Sequence, residues 1–120
     1  MFLEKEHRII VLYFTTYITM EIQAPSKRGY TIYTKTGCSY CKYAKQLLQN
    51  ENPAVLMVDC DEYLLTDKEV FLEEMVKYTH ISHRTFPMIF YKGLFIGGFT
   101  ELKTSYELKT ADKRGDVVNS

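Results

Sequence analysis

The stretch Tyr30-Thr31-Ile32-Tyr33-Thr34-Lys35-Thr36-Gly37-Cys38-Ser39-Tyr40-Cys41-Lys42-Tyr43-Ala44-Lys45-Gln46-Leu47-Leu48 decides the fold. Tyr30 to Lys35 is β-branched and aromatic, which predicts a strand. Beyond the turn, Cys41, Ala44, Leu47 and Leu48 recur at helical spacing, which predicts an amphipathic helix over 39–50, ended by Asn50-Glu51-Asn52-Pro53. Cys38 and Cys41 thus fall at a strand-to-helix turn. A cysteine at a helix N-terminus faces unpaired backbone N–H groups and the positive end of the helix dipole, and both favour thiolate over thiol. In Cys-x-x-Cys sites the thiol pKa falls to roughly 3.5–7, and the thiolate is the nucleophile. Cys41 lies one helical turn on, within reach of any mixed disulfide formed at Cys38. The spacing therefore reads as a redox dithiol, with Cys38 the attacking and Cys41 the resolving sulfur.

The pattern continues outward on both sides. Ala54-Val55-Leu56-Met57-Val58 is an unbroken apolar run, as expected of a strand buried on both faces. Thr66-Asp67-Lys68-Glu69 has the form of a capping box and predicts the start of a second helix, with Val70, Phe71, Met75 and Tyr78 on its inner side. Met88 to Tyr91 and Leu94 to Ile96 form two strands across the turn Lys92-Gly93. A last helix begins near Thr100 and fades into the polar tail Asp112 to Ser120. The order β-α-β-α-β-β-α predicts an α/β fold in which the first two strands are parallel and the closing hairpin antiparallel.

At 120 residues and 46% hydrophobic content the chain is one domain with a core of its own. Fifteen basic against fifteen acidic residues give zero formal net charge, so no nucleic-acid footprint or general attraction to anionic membrane is expected. Three cysteines do not make a secreted disulfide framework, and a redox spacing points to a reducing compartment, read here as the cytoplasm. The apolar run that opens with Ile9 and is diluted by threonines up to Met20 is too short for a membrane span, which needs roughly 20 apolar residues. Glu4 and Glu6 offset Lys5 and Arg8, and no small-x-small site follows, so an extension is favoured over a signal peptide. Met20 is an alternative start, since a complete domain reads on from it. The expected division is an N-terminal extension over 1–25, a catalytic domain over 26–110 and a polar tail over 111–120.

Three motifs make the chain resemble the glutaredoxin family, a branch of the thioredoxin fold, from about Tyr30 to Leu108. Lys35-Thr36-Gly37-Cys38-Ser39-Tyr40-Cys41 is similar to the dithiol glutaredoxin active site, with Ser39 where proline is usual. Arg84-Thr85-Phe86-Pro87 resembles the Thr-Val-Pro segment whose proline is cis, with Phe86 in place of a smaller residue. Gly97-Gly98-Phe99-Thr100-Glu101-Leu102 is similar to the Gly-Gly-x-x-Asp-Leu segment that holds the γ-glutamyl end of glutathione, with Glu101 for aspartate. The resemblance implies a thioredoxin-like fold with a central four-stranded mixed sheet flanked by helices. It also implies a monomeric, glutathione-dependent thiol–disulfide oxidoreductase acting on glutathionylated or disulfide-bonded proteins. Its glutathione site would draw on Lys35 and Arg84 for the glycyl carboxylate and on Thr85 and Phe86, beside Pro87, for backbone pairing. Tyr40 would line the groove, and Gly98, Thr100 and Glu101 would hold the γ-glutamyl end. Thr100 also reads as a plain N-cap.

Two alternatives share these residues. In one, Cys38 from each of two chains and two glutathiones hold a [2Fe-2S] cluster, for which Ser39 allows a looser helix start than proline. In the other, the chain is a dedicated electron donor, for example to a ribonucleotide reductase. A thioredoxin proper is disfavoured by the absence of tryptophan and by Ser-Tyr between the cysteines. Cys60 reads as a small buried hydrophobe. Without a third ligand fixed by spacing, His80 and His83 do not make a metal site. Glu69, Glu73 and Glu74 read as a solvated helix face.

Overall fold

The computed structural model describes residues 20–113, with side chains to residue 110, so the expectations for the first 19 residues and for 114–120 lie outside the described residues. Four strands and three helices alternate as the sequence predicts: β1 Tyr30–Thr34, α1 Ser39–Leu47, β2 Leu56–Asp59, α2 Asp61–Thr79, β3 Met88–Tyr91, β4 Leu94–Gly97 and α3 Phe99–Lys113. They form one mixed sheet of order β2-β1-β3-β4. β1 runs parallel to β2, with Thr31 opposite Leu56 and Thr34 opposite Asp59. β1 and β3 are antiparallel, and so are β3 and β4, with a register irregularity at Ile89/Phe90. The β3–β4 turn has Lys92 at φ 52° and Gly93 at φ 84°, two successive left-handed residues that match the twist of a tight hairpin.

Because side chains alternate across a strand, the sheet sorts its apolar residues onto two faces. Tyr33, Val58, Met88 and Phe90 meet Phe71, Leu72 and Met75 of α2 on one side. Tyr30, Ile32 and Ile89 meet Ala44 and Leu48, at and just beyond the end of α1, and Leu102 of α3 on the other. The central strands are thus buried on both faces, and the active-site helix α1 is fixed against the sheet through Ala44 and Leu48. Met20 and Ile22 pack against the α2 face, and the Tyr33 hydroxyl donates to the Gln23 carbonyl. Buried Thr31 is satisfied by accepting from the Ser26 N–H at 2.9 Å.

The start of α2 differs from the sequence expectation. The helix begins at Asp61, directly after β2, where the Asp61 N–H donates to Asp59 Oδ1 at 3.0 Å. It breaks at Asp67 (φ −167°, ψ 101°), whose Oδ1 accepts from the Val70 N–H at 3.1 Å. Asp67 therefore caps the second half. Thr66 belongs to the preceding turn and donates back to the Glu62 carbonyl at 2.8 Å. With Asp67 as the cap, the reciprocal position of a capping box falls on Val70, so the expected Thr66/Glu69 box does not form.

Candidate active site

Cys38 occupies the N-cap of α1 in an extended conformation (φ −101°, ψ 103°), and its Sγ accepts from the Cys41 N–H at 3.1 Å. α1 carries no acidic residue in its first turn to oppose the dipole. Cys38 is half-buried and Cys41 buried, and the two are joined by a disulfide with a Cα–Cα distance of 5.3 Å. Cys38 therefore carries the more accessible of the two sulfurs.

The loop leading to Cys38 is tethered to the far side of the sheet. Gly37 takes φ +80°, which a residue with a side chain rarely adopts. Before it, the Thr36 hydroxyl and the Thr36 N–H (2.9 Å) both donate to the carboxylate of Asp61 at the start of α2. The hydroxyl bond, then the N–H bond, hold the Asp61 carboxyl below its usual range. Sequence reasoning passed over Asp61. The signal for it was the parallel pairing of the first two strands, which sets the ends of β1 and β2 side by side and brings the residues just beyond them together.

Tyr40, Thr85, Phe86, Pro87, Gly98, Thr100 and Glu101 line one cleft of about 480 Å3, and the structure adds His83 and Phe99 to them. The Phe86–Pro87 peptide is cis, as the resemblance implies. Gly98 precedes α3, and Glu101 reaches back so that its Oε1 accepts from the Gly98 N–H at 2.8 Å. This is the return half of a capping box, and it makes Gly98, not Thr100, the residue at the head of the helix. Gly97 (φ +123°) must be glycine, since a Cβ there would sit 2.8 Å from Glu101 Cγ. His83 Nε2 lies 3.3 Å from Thr85 Oγ1, and its ring sits edge-on to Phe95 with centroids 5.0 Å apart.

The two cations expected at the site do not line the cleft. Lys35 Nζ stands over the Phe86 ring, 5.5 Å from its centroid. Arg84 is engaged by Glu69 through two bonds of 2.8 and 3.3 Å, which lower the Glu69 pKa and raise that of Arg84. Glu69 is therefore not simply part of a solvated face.

Cys60 is fully buried, its Sγ 3.6 Å from the Val58 carbonyl, and burial, followed by the nearby Asp59 charge, pushes its thiol up to about 12. His80 caps α2 in the left-handed conformation. No group of three or more His, Cys, Asp or Glu suited to a metal ion occurs among the described residues. No helix among them is long and apolar enough to cross a membrane.

The glutaredoxin family model matches residues 30–96. Human mitochondrial glutaredoxin-2 is 41% identical over 70 residues, covering 58% of this chain and 40% of its own length. The rat protein of the same name is 36% identical over 86 residues, covering 70% and 51%. The chain thus spans about two fifths to one half of the curated relatives it matches. Among solved structures, glutaredoxin 1 from Francisella tularensis, complexed with cacodylate, is 35% identical with a TM-score of 0.55, covering 76% of this chain and 96% of that one. Reduced Escherichia coli glutaredoxin is 25% identical with a TM-score of 0.51, covering 65% and 92%. The curated relatives are all named mitochondrial, which overturns the cytoplasmic expectation. A redox cysteine pair works in reducing and oxidising compartments alike and carries no signal for which one.

Proposed function

This chain belongs to the glutaredoxin family, and from that premise we propose that it is a glutathione-dependent thiol–disulfide oxidoreductase of the dithiol type. The observation that carries the reading is the Cys38–Cys41 disulfide at the N-cap of α1, with a backbone N–H already directed at Cys38 Sγ. In the reduced protein the same N–H and the helix dipole favour the Cys38 thiolate. That thiolate attacks one sulfur of a substrate disulfide, forming a mixed disulfide and releasing the other sulfur as thiolate. Cys41 then displaces the bound half, leaving the Cys38–Cys41 disulfide. One glutathione thiolate attacks Cys38, freeing Cys41, and a second attacks the glutathione sulfur of that adduct, releasing glutathione disulfide and the Cys38 thiolate.

Glutathione fits the cleft beside Cys38 in this reading. Tyr40 and Pro87 form its walls, and the backbone of Thr85 and Phe86 pairs with the cysteinyl portion. The N-terminus of α3 at Thr100, next to Gly98, receives the γ-glutamyl carboxylate. Glu101 uses Oε1 on its own helix and offers Oε2 to the γ-glutamyl ammonium. Lys35 and Arg84 flank the cleft and serve the glycyl carboxylate, Arg84 by exchanging Glu69 for the ligand. The names of the relatives support a mitochondrial location, to be checked by imaging the tagged full-length protein.

The test is turnover of a glutathionylated peptide and of a protein disulfide, with glutathione and glutathione reductase as the electron source. Cys38→Ser is expected to abolish both. Cys41→Ser is expected to retain the first, because glutathione itself resolves the adduct, and to lose the second, which needs the internal thiol. Equal loss of both reactions in the two variants would overturn the assignment.

A further inference from the structure

Pairing with glutathione asks only for the backbone of Phe86, yet the Phe86 ring is engaged from the core and from solvent. The residue is half-buried and lines the cleft. Behind it, fully buried Phe71 of α2 stacks on the ring with centroids 6.0 Å apart and planes 12° from parallel. Tyr63 continues the column on Phe71 at 5.5 Å and 14°, so the Phe86 ring is anchored to close-packed core. Over the same ring stands the ammonium of Lys35, an exposed side chain on the loop that leads to Cys38, with Nζ 5.5 Å from the centroid. At that distance a ring face attracts a cation. A lysine stem is long and flexible, and this contact restricts it. Among the described residues Lys35 forms no ion pair, and the Asp61 carboxylate that tethers the loop accepts from the Thr36 N–H and hydroxyl.

We propose that Phe86 determines specificity through Lys35: its ring fixes the ammonium beside the cleft, so that the chain selects mixed disulfides whose glutathione ends in a free carboxylate over those whose end is uncharged. The inference rests on the oxidoreductase reading and on the place that reading gives Lys35; it adds the residue that positions the charge. A ring face holds a cation through its quadrupole and uses none of the three N–H donors of the ammonium, so all three stay free for a carboxylate. Arg84 is the contrast, since Glu69 already engages two of its nitrogens. Ordering a long side chain opposes binding, and an ammonium ordered beforehand avoids that loss. If the ring served only to cover Phe71, any apolar side chain of similar size would do. Holding Lys35 requires an aromatic face.

The test mixes pre-reduced protein, without other thiols, with a dye-labelled cysteine joined by a disulfide to glutathione or to glutathione whose glycyl carboxyl is an amide. The Cys38 thiolate attacks the glutathione sulfur, the disulfide to the labelled cysteine breaks, and that cysteine leaves as a thiolate whose dye is read. Both substrates meet the same Cys38, so the ratio of their second-order rate constants cancels any change in the sulfur itself. In the wild type the acid is expected to react about fivefold or more faster than the amide. Phe86→Leu is expected to lower that ratio about two- to fivefold, whereas Phe86→Tyr, which keeps the aromatic face, holds the wild-type ratio. Lys35→Met lowers the ratio as well, and adding Phe86→Leu to it lowers the ratio no further. A ratio that Lys35→Met lowers and Phe86→Leu leaves unmoved would overturn the role of Phe86 alone. So would an equal fall in Phe86→Leu and Phe86→Tyr, or a further fall in the double variant, since the ring would then act other than through Lys35. A wild-type ratio near one would overturn the Lys35 subsite together with the proposal. No dye released from either substrate by the wild type would overturn the oxidoreductase reading itself.

Discussion

Arg84 and Glu69 are both exposed, and solvent screens a pair of this kind, so a carboxylate ligand competes with it on near-equal terms. If Arg84 serves the glycyl carboxylate of glutathione, Glu69→Gln releases the guanidinium and lowers the KM for glutathione by about two- to fivefold. Arg84→Gln raises it, and the double variant matches Arg84→Gln. Steady-state kinetics with glutathione as the varied substrate measures all three, and a KM indifferent to every change would remove Arg84 from the site. The same two residues show the reach of residue-level reading. The cysteine spacing carried its chemistry in the sequence, because both partners lie within one helical turn. The charge of Arg84 was legible; its partner, fifteen positions upstream on another element, was not. Phe99 lay inside a quoted motif and His83 beside another, but nothing local marked either side chain as facing the cleft.

At the scale of elements, the break in α2 decides which cap matters. Asp67→Ala removes the acceptor of the Val70 N–H and is expected to cost about 1 kcal/mol, as N-cap truncations commonly do. Thr66→Ala removes a hydroxyl that only bonds back to the Glu62 carbonyl, and such back-bonding slightly destabilises a helix, so it is expected to be near neutral. Urea unfolding of the two variants separates them, and a larger loss in Thr66→Ala would restore the capping box that the sequence suggested. The strands were readable because β1, β3 and β4 are short, β-branched or aromatic, and joined by unmistakable turns. The first turns of α2 were not. Tyr63 and Leu64 pack on the core while Leu65 is 85% exposed, so the apolar stripe before the break does not continue in phase with Phe71 and Met75 after it. A periodicity argument needs one uninterrupted helix, and this one is two joined at Asp67.

For the molecule as a whole, burial on both sheet faces makes the fold sensitive to alkali. Cys60 and Tyr30 are each pushed up to about 12, chiefly by burial, and Tyr33 is raised as well. In the unfolded chain a cysteine loses its proton near 8.5 and a tyrosine near 10. Between those values and the folded ones the native state holds more protons than the unfolded state, so stability is fully present below the unfolded pKa and is lost as pH rises towards the folded one. Each such group adds a slope of up to about 1.4 kcal/mol per pH unit. The oxidised protein is the form to use, because its Cys38–Cys41 disulfide does not titrate and leaves Cys60 as the one free thiol. Its stability is expected to decline from about pH 9 and more steeply above 10, where the tyrosines join. Cys60→Ala shifts the baseline by removing a packed sulfur but also removes the first titration, so its decline starts near 10. Denaturant unfolding from pH 8 to 11, compared by slope and not by absolute value, reads the difference. Equal slopes between pH 9 and 10 in the two proteins would mean that the buried thiol is not what couples this fold to alkali.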